Sequence, residues 1–187
     1  MHVNDDPHLD LCIGQNFYTP QRETGRMAGG VGVVLLGDGQ GGFAPAWPTQ
    51  SGLVVPGDAK GLAYTRSPAS GEVLLLVAQN NDQLLCFTLP ASADHVLTAR
   101  LTGAVPGGVT VGARVTAVYE DGTTAIAETR IGGGYLSQST PGVMFGQGDA
   151  RIVRLEVAWP DGKTSGHDIG ASTGGAVQLT HPDHPSP

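Results

Sequence analysis

Three stretches of this 187-residue chain combine residue types and spacings that could do chemistry. GASTG at 170–174 fits the G-x-S-x-G pattern of a nucleophile elbow centred on Ser172, with Asp183 and His184 following in hydrolase order. An elbow needs a strand before it, a helix after it and a parallel sheet beneath it. Here Gly175 follows, then a strand-like AVQLT and a proline-rich tail, so the pattern reads as a glycine-rich turn. GGGYLSQSTPGVMFGQG at 132–148 invites comparison with a phosphate cradle, but Ser137 stands where the third glycine of G-x-G-x-x-G belongs. No helix signal follows it and no lysine completes a P-loop. Its glycines suit a relaxed strand end or bulge, with Tyr135 and Phe145 packing and Ser137, Gln138 and Ser139 satisfying local backbone groups. The same stretch offers Tyr135, Ser137, Gln138 and Ser139 as a ligand or partner surface.

His181 and His184 have the spacing of a metal pair on a helix, yet Pro182 and Pro185 argue against that helix. His95 and His167 read as isolated surface histidines, and Trp47 and Trp159, each beside a proline, as packing anchors. An aromatic platform for a sugar or peptide is the alternative for the two tryptophans. No nucleophile, base and oxyanion donor occur together in a recognisable pattern, so no enzymatic activity is expected.

The elements that would position these residues are strands. LDLCIG (9–14), VGVVLLG (31–37), KGLAYT (60–65), VLLLVAQ (73–79) and LLCFTL (84–89) are short β-rich runs bounded by turn residues. VLTARLTG (96–103), GARVTAVY (112–119), TAIAETRI (124–131), RIVRLEVAW (151–159) and a weaker AVQLT (176–180) follow, several alternating apolar and polar. Asp121-Gly122 between two strands is a hairpin signal. With no convincing 3.6-residue period, the chain is expected to be all-β. Gly 29 and Pro 13, together about 22% of the residues, fit many short strands joined by tight turns. The patterning changes near 90–94, from continuously apolar to alternating strands, which sets expected domains at 1–93 and 94–180, with 181–187 a disordered tail.

Composition narrows the function classes. Ten Lys and Arg against 17 Asp and Glu give a net charge of −7, which argues against a nucleic-acid partner. No apolar run approaches the length of a membrane span. Cys12 and Cys86 sit in apolar runs and read as small buried hydrophobes, a disulfide being the alternative. Met1 precedes His2-Val3-Asn4-Asp5, without a basic stretch or apolar core, so no signal peptide is expected on this chain.

The segments GARVTAVYEDG, TRIGGGYLSQSTPGVMFGQG and VRLEVAWPDG, within residues 112–162, closely resemble the ASPIC and UnbV domain. Gln147 departs from the aliphatic residue usual in that motif. Such domains follow FG-GAP/VCBS propeller repeats, as in bacterial homologues of cartilage acidic protein. HVNDDPHLDLCIGQN (2–16), GDGQGGFAP (37–45) and GDAKGLAYTRSPASGEVLLLVAQNN (57–81) resemble pieces of those repeats. The resemblance implies about two degenerate β-propeller blades followed by a small antiparallel β-sandwich or barrel.

It also implies a degenerate calcium loop in which His2 and Pro7 replace the first carboxylate and the turn glycine and Asn4, Asp6 and Asp10 remain as ligands, a solvated acidic turn being the alternative. The second such loop, with Arg66, Pro68, Ser70 and Leu74 at the matching positions, has no carboxylate and is expected to bind no calcium. The functional expectation is a secreted or cell-surface binding module with a protein or glycan partner. Two alternatives stand beside it: an assembly component whose missing propeller blades another chain supplies, and an accessory protein of enediyne-type secondary metabolism.

Overall fold

The computed structural model describes residues 1–105, 110–135, 137–139, 142–170 and 174–184. The protein is all-β as expected; among the described residues 43% are strand and 4% helix, and no closed barrel forms. Its described residues fall into two compact units. The first takes them from Met1–Asn4, His8–Ser92 and Gly132–Thr140; the second from Asp5–Pro7, Ala93–Ile131 and Pro141–Pro187. The division therefore falls between Ser92 and Ala93, except that the 132–140 segment counts with the first unit and residues 5–7 with the second.

The first unit contains two three-stranded antiparallel meanders. One is β1 (Leu11–Ile13), β2 (Val33–Gly37) and β3 (Phe43–Ala46), with β2 central. Pro45 lies in β3 opposite Leu35, a position open to a residue without an N–H because β3 is an outer strand. Gly37 passes so close to the Leu9 carbonyl that a Cβ there would overlap it. A one-turn helix α1 (Pro48–Ser51) follows, closed by Gly52 in the left-handed conformation at φ 71°. The second meander is β4 (Ala59–Arg66), β5 (Val73–Gln79) and β6 (Leu85–Thr88), with β5 central. Period-2 alternation places Val73, Leu75 and Val77 on one buried face of β5.

In the second unit, β7 (Val96–Thr102), β8 (Arg114–Tyr119), β9 (Thr124–Glu128), β10 (Val143–Gly146), β11 (Ile152–Ala158), β12 (Thr164–Asp168) and β13 (Gly175–Thr180) build two sheets, ordered β10-β7-β13 and β12-β11-β8-β9. Leu97, Ala99, Phe145 and Leu179 from one sheet meet Val115, Ala117, Leu155, Val157 and Trp159 from the other in one core, a small sandwich. The pairing is antiparallel, as expected, with one parallel exception among the described strands. β13 runs parallel to β7, from Gly175 opposite Leu97 to Thr180 opposite Thr102. The hairpins turn at Asp121-Gly122 and Asp161-Gly162, where the glycines adopt φ 83° and 88° and each aspartate accepts the N–H of the residue two positions on.

Residues 181–184 also correct the disordered-tail reading. His181 is buried, packs edge-on against Trp159 at 4.9 Å between ring centroids, and its Nε2 lies 3.1 Å from Asp161 Oδ2. Its Nδ1 accepts the Asp183 N–H at 3.1 Å, which leaves Nε2 to donate. Proline spacing suggested disorder, but the indole gives the imidazole an apolar wall to pack on. Residues 185–187 lie outside the described residues.

Candidate functional site

Residues 132–135 and 137–139 of the glycine-rich stretch between β9 and β10 form an arm seated on β4. Ser137 Oγ donates to the Leu62 carbonyl at 2.9 Å, and Ser139 Oγ accepts the Tyr64 N–H at 3.3 Å. Gln138 Oε1 accepts the Gly132 N–H, closing the base of the turn. The hydroxyls thus satisfy backbone groups 75 residues away as well as supporting their own turn, which the sequence reading of purely local bonds missed. Tyr135 is 71% exposed and does not pack, whereas Phe145 in β10 is buried. Of the four residues offered as a ligand surface, Tyr135 and Gln138 face solvent, while Ser137 and Ser139 are half-buried against β4.

The second surface feature has no counterpart in the sequence reading. The connection from β1 to β2 runs over residues 14–32 and forms a small ribbon, with Phe17 and Met27 exchanging two backbone hydrogen bonds of 2.9 Å. Asn16, at φ 77°, latches its base. Its Oδ1 accepts the Gly29 and Gly30 N–H groups, and its Nδ2 donates to the carbonyls of Gly30, Pro56 and Gly57. Tyr18 OH donates to the Pro56 carbonyl at 2.7 Å, and the Arg26 guanidinium lies 3.6 Å from the Tyr18 ring centroid. Lys60 Nζ sits 4.2 Å from the centre of the Phe17 ring. Phe17 and Met27 remain 42% and 49% exposed, so the ribbon presents apolar and cationic groups on a fixed frame.

Two buried carboxylates anchor this unit. Asp10 accepts the Val3 N–H on Oδ2 at 2.7 Å and the Gly37 N–H on Oδ1 at 2.9 Å. Asp58 receives Lys60, with Asn80 at 3.4 Å and Thr19 at 3.5 Å. Burial pushes the Asp58 carboxyl up. The Lys60 hydrogen bond and charge, with the Tyr18 and Asn80 hydrogen bonds, outweigh it and hold the group below its ordinary value.

Of Asn4, Asp6 and Asp10, offered as calcium ligands, Asp10 has both carboxylate oxygens turned onto backbone N–H groups. Among the described residues, no group of three or more His, Cys, Asp or Glu is arranged to hold a metal ion.

The remaining sequence candidates scatter. Ser172 lies outside the described residues. Trp159 is buried as expected, but Trp47 is 71% exposed and anchors nothing. Cys12 is half-buried, Cys86 is exposed, and both are free thiols. His167 is not isolated: its Nε2 lies 3.0 Å from Ser165 Oγ, which also accepts the Trp159 Nε1–H at 3.0 Å. Burial, and next the Arg154 charge, hold the His167 imidazole below its usual value. Gln147 is fully buried in the β10–β11 connection, where its Oε1 accepts the Ile152 N–H at 2.9 Å.

The architecture is that of an all-β scaffold carrying loops and an arm. Within it, residues 108–183 match the family model described as ASPIC and UnbV. No curated protein matches the chain. The matched segment begins after β7, the strand on which both β10 and β13 depend for their sheet partner. No helix among the described residues is long and apolar enough to cross a membrane.

Proposed function

We propose that the protein is a non-catalytic binding module acting outside the cell or at its surface, within an FG-GAP and ASPIC/UnbV architecture, with a protein or glycan as partner. The latched ribbon of residues 16–28 carries this reading. Phe, Tyr, Met and Arg are the residue types enriched at protein interfaces, and here Phe17, Tyr18, Arg22, Arg26 and Met27 sit together on one loop. A loop already ordered in the free protein loses little freedom on binding. The five hydrogen bonds of Asn16 supply that order.

The test is a screen of the immobilised protein against a glycan array and a panel of extracellular proteins, repeated with Asn16→Ala and with Arg22→Ala/Arg26→Ala. A partner whose affinity falls at least about 5-fold in both variants supports the reading. Partners bound equally by all three proteins, or turnover of any ester or glycoside by the wild type, would overturn it.

A second reading, an assembly component whose open meanders are completed by another chain, is favoured by the first meander. There Leu9, Leu11, Ile13 and Phe43 are 60%, 45%, 40% and 48% exposed. Native mass spectrometry at micromolar concentration discriminates, since a strictly monomeric protein counts against self-assembly.

A further inference from the structure

β4, at eight residues the longest strand among those described, is an outer strand of its sheet, paired only with β5. The free side of such a strand presents N–H and C=O groups from every second residue and templates the addition of another strand. On β4 those groups include the Leu62 carbonyl and the Tyr64 N–H, and the arm meets both through hydroxyls. The match is one of spacing: the two groups lie two residues apart on β4, and the two hydroxyls that meet them lie two residues apart on the arm.

Glycine permits the approach. A Cβ at Gly134 would overlap Ser137 Oγ and lie 3.4 Å from the Leu62 carbonyl oxygen, and a Cβ at Gly61 would lie 3.2 Å from the Tyr135 oxygen. Gly134 and Ser137 form an isolated bridge that folds the arm back on itself. A turn of this kind occupies an edge without offering a regular strand for the sheet to continue on.

We infer that the 132–139 arm is a guard on the β4 edge, whose two hydroxyl bonds keep a strand from a second copy of this chain from adding there. The guard is independent of what the ribbon binds, and its failure would leave the binding proposal standing.

The test is Ser137→Ala/Ser139→Ala, read by size-exclusion chromatography with light scattering and by amide hydrogen exchange. Association is expected to grow with concentration up to about 100 µM in the variant and not in the wild type. In its monomer fraction the Tyr64 amide should exchange about 10-fold faster. Wild-type mass at every concentration overturns the inference even if exchange quickens, because the edge then needs no guard. Association with Tyr64 protection unchanged overturns it too, because the new contact then lies elsewhere. Should the double variant lose its circular-dichroism fold, Ser139→Ala, which removes a single acceptor, is read by the same two measurements.

Discussion

The two meanders of the first unit start alike and are held differently. Each opens with a buried aspartate directly before its first strand, Asp10 before β1 and Asp58 before β4. Asp10 binds only backbone, joining Val3 to the end of β2. Asp58 accepts the Tyr18 backbone N–H too, but its other partners are side chains, in a cluster with Lys60, Asn80 and Thr19. β1 has three residues, two of them exposed, while β4 has eight and pairs with a β5 that buries Val73, Leu75 and Val77. Where strands are long and apolar, a carboxylate adds local order to a sheet that packing already supports. Where they are short, the carboxylate substitutes for missing ladder and core.

The sharpest way to break this contrast is Asp10→Ala. It leaves the Val3 and Gly37 N–H groups without their charged acceptor, and should cost about 4 kcal/mol in urea unfolding. The matching deletion in the second meander, Leu75→Ala, should cost about 3 kcal/mol by cavity formation, and Val34→Ala in the first only about 2. A Val34→Ala cost exceeding that of Asp10→Ala would show that packing, not the carboxylate, holds the first meander.

A smaller effect separates Asp58 by pH. Its folded pKa lies below its unfolded value of about 3.9. Its contribution is therefore fully present above that value and declines as pH falls through the folded pKa. Asp58→Asn should flatten this acid limb in melting curves between about pH 5 and 2; a limb identical to that of the wild type would remove Asp58 from the account. The smallest effect is chemical, one thiol in each meander. Burial pushes Cys12 up to about 11, so at pH 8 only about one molecule in a thousand carries its thiolate. Mass spectrometry after brief iodoacetamide treatment should find Cys86, which is exposed, modified before Cys12.

Strands were legible wherever branched or apolar residues ran between turn formers, as in VLLLVAQ, which spans the whole of β5. TSGHD, which becomes β12, has no large apolar residue to signal it, and FAPA of β3 contains a proline that reads as a breaker. Both are outer strands, where neighbours supply what the segment's own propensity lacks. The arm was visible as an unusual stretch, but its target was not, because Leu62 and Tyr64 are chosen by tertiary register. The ribbon left one usable trace, a gap of 19 residues between β1 and β2, longer than unstructured connections usually run.

Making the protein on a ribosome gives the parallel pairing of β13 with β7 a temporal meaning. Residues 96–102 emerge early, yet one of their two flanks waits for residues 175–180, the last strand of the described chain. Until then a seven-residue strand with Leu97 and Ala99 ready for the core stands half-paired, which ties completion of the sandwich to the synthesis of residues 175–180 and exposes nascent chains to association meanwhile.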